Sequence, residues 1–417
     1  MKVLVAHPGK QHVYRLINAL QKADYFDCFV TTAYYKPGTI TSRIISFLPS
    51  KIKNKALHRR EKLIDDDSVI VECEFLGLMC TFFAKIPGCR WFYNILNNYM
   101  NDRFGRKVAK IAIERNVDAV ISFDNNSMVL FETLKKKKPD IIRILDTSIA
   151  SREYLKSIYE KDINEFNDNG LYKEQKVIWN KKYMSRITRE INASQYYLAG
   201  SSFVKDSLIF SGANPDKISV VHYGVDTKQF SSNNSPNDSE CLNLIYVGGI
   251  SYRKGLHHLL SVMVQLADYP ITLSLAGDYN KKMILYKKYC CYSNINFLGF
   301  LSHDELAVRY KQSDAFVLSS LGEGMAMVGL EAMSSGLPVI CSKNTGLTDV
   351  VVDGENGYVF EAGNDDQLKK LLIELINRKS DLFRMGRKAR STAQKYTWDF
   401  YSDNLIKTIK KWENNNP

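Results

Sequence analysis

A chain of 417 residues exceeds what one typical core organises and suits two domains of about 200 residues each. Its 45% hydrophobic and 24% charged residues exclude a long disordered tract, and its longest apolar run, FLGLMCTFFA at 75–84, falls short of the roughly 20 residues that cross a bilayer. The net charge of +12 is lopsided: residues 1–222 hold 35 Lys+Arg and 24 Asp+Glu, whereas residues 223–417 hold 22 and 21, so the first half is expected to face something anionic, nucleic acid or the inner leaflet of a membrane, with a solvated surface as the competing reading.

The opening MKVLVAHPGKQH turns polar after four apolar residues, which reads as a cytoplasmic chain with neither secretory leader nor anchor. The eight cysteines include no C-x-x-C pair and no zinc-finger spacing, so they read as reduced thiols without a structural metal. A strand at 2–7, a turn at Gly9, a helical pattern from Gln11 to Gln21 and a strand at 27–32 form a β-turn-α-β unit. Residues 38–105 lose this rhythm and become basic and aromatic, in SRIISFLPSKIKNKALHRR and CRWFYNILNNYMNDRFGRK. Such interleaving suits an interfacial helix; helices covering a sheet are the competing reading. Asp65, Asp66 and Asp67 read as a turn there.

DAVISF (118–123) and IIRIL (141–145) are strands, separated by a helix that ends in LKKKKPD. Near 219–226 a strand, VVHYGVD, runs into the polar SSNNSPNDSE, a domain boundary. A second α/β rhythm follows: LIYVGG, a helix from about 255, ITLSLAG, INFLG, a helix from 303, DAFVLSS, and then EGMAMVGLEAMSSGLPVI at 323–340. The chain therefore reads as two doubly wound parallel-sheet domains, 1–222 and 223–397, closed by an amphipathic helix at 398–417.

EGMAMVGLEAMSSGLPVI sets a turn and a helix beginning near Ala326 or Met327 at the carboxyl end of a strand, where open α/β sheets bind ligands. The free N–H groups of Met325, Ala326, Met327 and Val328 suit a phosphate. Glu331, one turn into that helix, suits ribose hydroxyls, and Glu323 reaches another part of the same extended ligand. Arg253 and Lys254, at a helix start where the dipole disfavours cations, suit a diphosphate. In the first half, Gly9 permits close backbone approach to a ligand, His7 reads as strand-end structure, and His12 is open between structure and ligand. Asp146 and Asp124 follow strands at the cleft end, either able to meet the donor sugar or the acceptor hydroxyl; for Asp124 helix capping is the expected role.

EGMAMVGLEAMSSGLPVI, VGGISYRKG, SSFVKDSLIFSGANPDKISVVHYGVDTKQF and the closing YTWDFY together resemble the family 4 glycosyltransferases with the GT-B fold, strongly from about residue 195 and weakly over 38–190. The resemblance implies two Rossmann-like domains facing a cleft, and a retaining, metal-independent enzyme using a nucleotide diphosphate sugar with no cofactor. By position, Glu323 and Glu331 match the paired glutamates, Met325 to Val328 the phosphate-facing amides, and Lys254 the phosphate lysine. Two departures stand out: Gly249 occupies a position usually held by arginine, with Arg253 as a substitute, and Asp146 ends a strand after which many members carry histidine. The expected catalytic residues are Glu323 and Asp146, the expected partners a nucleotide-sugar donor and a glycan or lipid-linked acceptor. An anionic membrane is expected against the first half and no nucleic acid. Bacterial surface polysaccharide assembly is the context implied by family and charge. A nucleotide-sugar epimerase and a binding subunit without catalysis remain the alternatives.

Overall fold

The computed structural model describes all residues except 10–11, 47–59, 62, 87, 167–168, 233–238 and 416–417. Much of the first basic stretch, the start of the helix expected from Gln11 and most of the expected boundary loop lie outside the described residues.

Two sheets, each wholly parallel, organise the chain. The first contains β1 (Val3–Ala6), β2 (Phe26–Thr31), β3 (Val69–Val71), β4 (Ala119–Phe123), β5 (Ile142–Thr147), β6 (Tyr196–Ala199) and β7 (Ile218–Val220), in the order β3-β2-β1-β4-β5-β6-β7. The second contains β8 (Leu242–Val247), β9 (Ile271–Ala276), β10 (Ile295–Gly299), β11 (Ala315–Leu318), β12 (Val339–Ser342) and β13 (Gly357–Phe360), in the order β10-β9-β8-β11-β12-β13. Helices cover both faces, so the central strands are buried on both sides: VLVA, AVISF and AFVL show no exposed position. This is the expected doubly wound architecture, twice over. The stretch at 38–105 is not without sheet structure, however, since β3 pairs with β2 through Phe29↔Val69 and Thr31↔Val71. Three residues of VIV are too short for alternation to reveal. The aspartates before it form the expected turn, a one-turn 3-10 helix at Asp66–Ser68 capped by the Asp65 side chain.

The strand expected at 219–226 ends at Val220, because the chain there leaves the first sheet for the second domain. It crosses the returning segment at close range: Val225 N–H donates to the Tyr396 carbonyl at 2.9 Å. A Cβ on Gly224 would lie 2.4 Å from the Thr397 backbone, so only glycine permits the crossing. Beyond it, the helix Trp398–Asn414 lies against the helix Val13–Lys22, as expected of a C-terminal helix returning to the first domain. It buries Tyr401, Leu405, Ile409 and Trp412, and Trp412 stacks on Tyr196 of β6 at 4.7 Å between ring centroids. Among the described residues no helix is long and apolar enough to cross a membrane.

Candidate active site

Strand order reverses once in each sheet, between β1 and β4 and between β8 and β11. At such a reversal the following loops depart to opposite sides and leave a crevice at the carboxyl ends of the strands. Most residues singled out in the sequence fall on those loops: Gly9 after β1, Asp124 after β4, Arg253 and Lys254 after β8, and Glu323 to Glu331 after β11.

Arg253, Lys254 and Glu323 form one cluster. Glu323 accepts hydrogen bonds from Lys254 Nζ and, at 3.2 Å, from Arg253 Nη1. Burial alone would push the Glu323 carboxyl up, but the two cations outweigh it and hold the group below the usual carboxylate value. Burial likewise depresses the Lys254 ammonium, against the pull of Glu323. Glu323 and the two cations, expected at separate parts of one extended ligand, thus satisfy each other.

The helix after this turn spans Met327–Ser334 and has no side-chain cap. The N–H groups of Met325, Ala326, Met327 and Val328 have no protein acceptor among the described residues, and Met325 and Ala326 are buried. Glu331 is 9% exposed, and no described side chain or amide donates to its carboxylate, so burial raises it to about 7. Gly249 faces open space, since a Cβ there would meet no atom within 4 Å. Gly9 is exposed; its N–H donates to His7 Nδ1 at 2.8 Å. His7 is therefore strand-end structure as expected, and burial drives its imidazole down to about 4.

Asp146 does not follow its strand but lies inside β5, where it is 3% exposed and pairs with His12 Nε2 at 3.0 Å. Asp146 thus holds the His12 ring, which also packs on Phe123 and Tyr223. Asp124 does not cap the following helix, contrary to expectation. Its carboxylate accepts from Ser148 Oγ at 3.2 Å, while the helix start is served by Glu190, which accepts from the N–H groups of Asn125 and Ser127 at 2.8 and 2.6 Å. Burial lifts Glu190 to about 8 despite those donors.

First-domain side chains that no local motif announces complete the crevice. Glu174 accepts from the N–H groups of Tyr252 and Arg253 at 2.7 and 3.1 Å, fixing the β8 loop from across the cleft. Arg152, at the start of the helix Arg152–Phe166, interacts with Asp124 and lies near enough to Arg253 for the two cations to repel. Gly324 lets the Glu323 turn touch the first domain, because a Cβ on it would sit 1.8 Å from the Ser148 carbonyl oxygen. Behind the cleft, Asp162 of the first domain meets His257 at 3.1 Å and His258 at 2.6 Å, and His258 Nδ1 meets Asp365 at 2.7 Å. With both ring nitrogens against carboxylates His258 is an imidazolium; burial alone would lower it, but Asp162 and Asp365 lift it to about 9. These three ligand-type side chains are thus engaged in clasping the two domains.

A family model described as glycosyl transferases group 1 matches residues 227–392. The sulfoquinovosyl transferase SQD2 of Arabidopsis thaliana is 30% identical over 237 residues, covering 53% of this chain and 45% of that relative. An uncharacterized glycosyltransferase of Methanocaldococcus jannaschii is 25% identical over 285 residues, covering 63% of this chain and 70% of its own length. The chain thus spans less than half of the Arabidopsis relative. In fold it resembles the sucrose-phosphate synthase of Thermosynechococcus elongatus at a TM-score of 0.70 and 15% identity, covering 100% of both chains. It also resembles Anabaena HepE in complex with UDP and glucose, at 0.60 and 16%, covering 99% of this chain and 100% of that one. The chain has the GT-B fold, and residues 227–392, within its second domain, match the model of the glycosyl transferases group 1.

Proposed function

We propose that this chain transfers a sugar from a nucleotide diphosphate donor to a glycan or lipid-linked acceptor, with retention at the anomeric carbon and no metal ion or cofactor. The observation that carries the reading is the pairing, at one strand-order reversal, of a buried carboxylate lacking a protein donor with unsatisfied helix amides and two half-buried cations. Glu331 receives the ribose hydroxyls, and the N–H groups of Met325, Ala326, Met327 and Val328 receive phosphate oxygens. Arg253 and Lys254 neutralise the diphosphate as it leaves, the task a divalent metal performs elsewhere.

Glu323 holds those cations before the donor enters and meets the sugar once they turn to the diphosphate. Gly9 leaves room for the donor on the first-domain side. Asp146, in this reading, acts through His12 as a positioning group. That a solved relative in fold carries UDP and glucose supports the donor class. Assembly of surface polysaccharide, on the cytoplasmic face of an anionic membrane, is the setting that fits the basic first half. Thermal stabilisation by UDP, GDP and ADP with chelator present is the test, followed by product analysis on the matching sugar nucleotide. A shift with one nucleotide and a product of unchanged anomeric configuration is expected. No shift with any nucleotide overturns the reading, and an isomerised sugar nucleotide from donor alone assigns the site to an epimerase.

A further inference from the structure

The helices Glu74–Phe83 and Arg90–Glu114 pack on each other and turn aromatic side chains outward. Phe75 and Phe82, seven residues apart on one, are 62% and 61% exposed; Trp91, Ile95 and Tyr99, four apart on the other, are 67%, 60% and 53% exposed. These are single stripes at helical spacing. Ring contacts make them continuous: Phe82 meets Phe83 at 5.4 Å, Phe83 meets Phe92 at 4.7 Å, and Phe92 meets Trp91 at 5.8 Å between centroids. A water-facing patch of this kind marks a docking surface.

Charge identifies the occupant. From Phe75 to Asn101 the sequence contains no acidic residue, while Lys85 and Arg90 are exposed between the two stripes and Arg103 and Arg106 follow on the second helix. Tryptophan and tyrosine beside cations are the side chains that settle at a headgroup boundary, and Lys and Arg add attraction to anionic lipid. A protein partner would need acidic groups to match these cations, whereas an anionic headgroup layer supplies negative charge along the whole face. The flank of the second helix beside this stripe has a different chemistry. Its Asn94, Asn97 and Asn98 line a cavity of about 260 Å³ that reaches Asn125, Arg152 and Glu190, beside the Arg253 cluster.

We propose that the face formed by Phe75, Phe82, Trp91, Ile95 and Tyr99 docks on an anionic bilayer, with the asparagine-lined cavity admitting the polar head of an amphiphilic acceptor from that surface. The acceptor role rests on the transferase reading above; the docking does not.

Cosedimentation with phosphatidylglycerol–phosphatidylcholine vesicles, without donor, tests the docking separately from activity. The protein is expected to bind these vesicles and to bind pure phosphatidylcholine vesicles far less. Trp91→Ser/Ile95→Ser and Lys85→Glu/Arg90→Glu should each reduce binding by about tenfold or more. Tryptophan emission should shift to the blue on vesicles in the native chain and not in Trp91→Phe, a variant that keeps the apolar surface. Absence of vesicle binding, or equal binding by Trp91→Ser/Ile95→Ser, overturns the proposal. Self-association abolished by that double variant, with no lipid binding, assigns the face to a second copy instead.

Discussion

Glu323 and Glu331 stand eight positions apart at the mouth of the same crevice, yet their carboxylates meet opposite surroundings. Glu323 is half-buried against Lys254 and Arg253 and held below its ordinary value; Glu331 is buried without a donor and raised to about 7. Desolvation works upward on both, so the difference lies in what each faces. A carboxylate already paired with cations belongs to a cluster that a ligand must rearrange. One with no partner is a place where ligand hydroxyls supply what the protein withholds.

The largest effect that breaks this contrast is expected from Glu323→Ala. Two cations would lose their counter-charge, and turnover should fall by about a hundredfold or more, while nucleotide affinity holds or rises because Arg253 and Lys254 are released. Steady-state kinetics set beside nucleotide titration separate these; a parallel loss of affinity would show that the cations need Glu323 to stay in place.

Glu331→Gln keeps the shape and removes the charge. Donor affinity should drop by about tenfold, the worth of a hydrogen bond to a charged group. Because the folded carboxyl lies above its unfolded value of 4.5, its contribution to stability is complete below that value and is lost as pH rises through about 7. Relative to the glutamine variant, the native chain should therefore lose about 3 kcal/mol across that window, read by denaturant unfolding at a series of pH values. A difference between the two that does not vary with pH would mean that Glu331 finds a donor in solution.

The smallest effect is expected from Gly249→Arg. Open space around Gly249 should accommodate the side chain without change in melting temperature, and a third cation near the diphosphate should tighten nucleotide binding by roughly fivefold, the scale of a modest charge-assisted contact. Weakened binding would mean that Arg253 already fills that role and is displaced.

How much of this was legible follows from distance along the chain. β1, β4, β8 and β11 each carry an apolar run flanked by turn residues, so their ends, and the loops holding Gly9, Arg253, Lys254 and Glu323, were readable from local pattern. β3 holds only 3 residues, and β6 and β13, reading YYLA and GYVF, lack the aliphatic run that marks β1 and β11 at the same length, so none of the three was visible. Glu174, Arg152 and Asp162 lie in or at the start of ordinary polar helices with no motif around them; their importance arises only when the domains meet. Asp124 was read as a cap from its position after β4. The cap comes instead from Glu190, 63 residues beyond Ser127, a partner that no local signal announces.

The returning helix Trp398–Asn414 carries a consequence for biogenesis. It supplies one wall of the first domain, through Tyr401, Leu405, Ile409 and Trp412, yet the ribosome makes it after both sheets. The first domain to emerge is thus the last to be finished, and it waits with Tyr196 and the flank of Val13–Lys22 uncovered while the second domain is translated. Nascent chains arrested before residue 398 should accordingly expose that flank to proteases and chaperones, although every strand of both sheets has already been made.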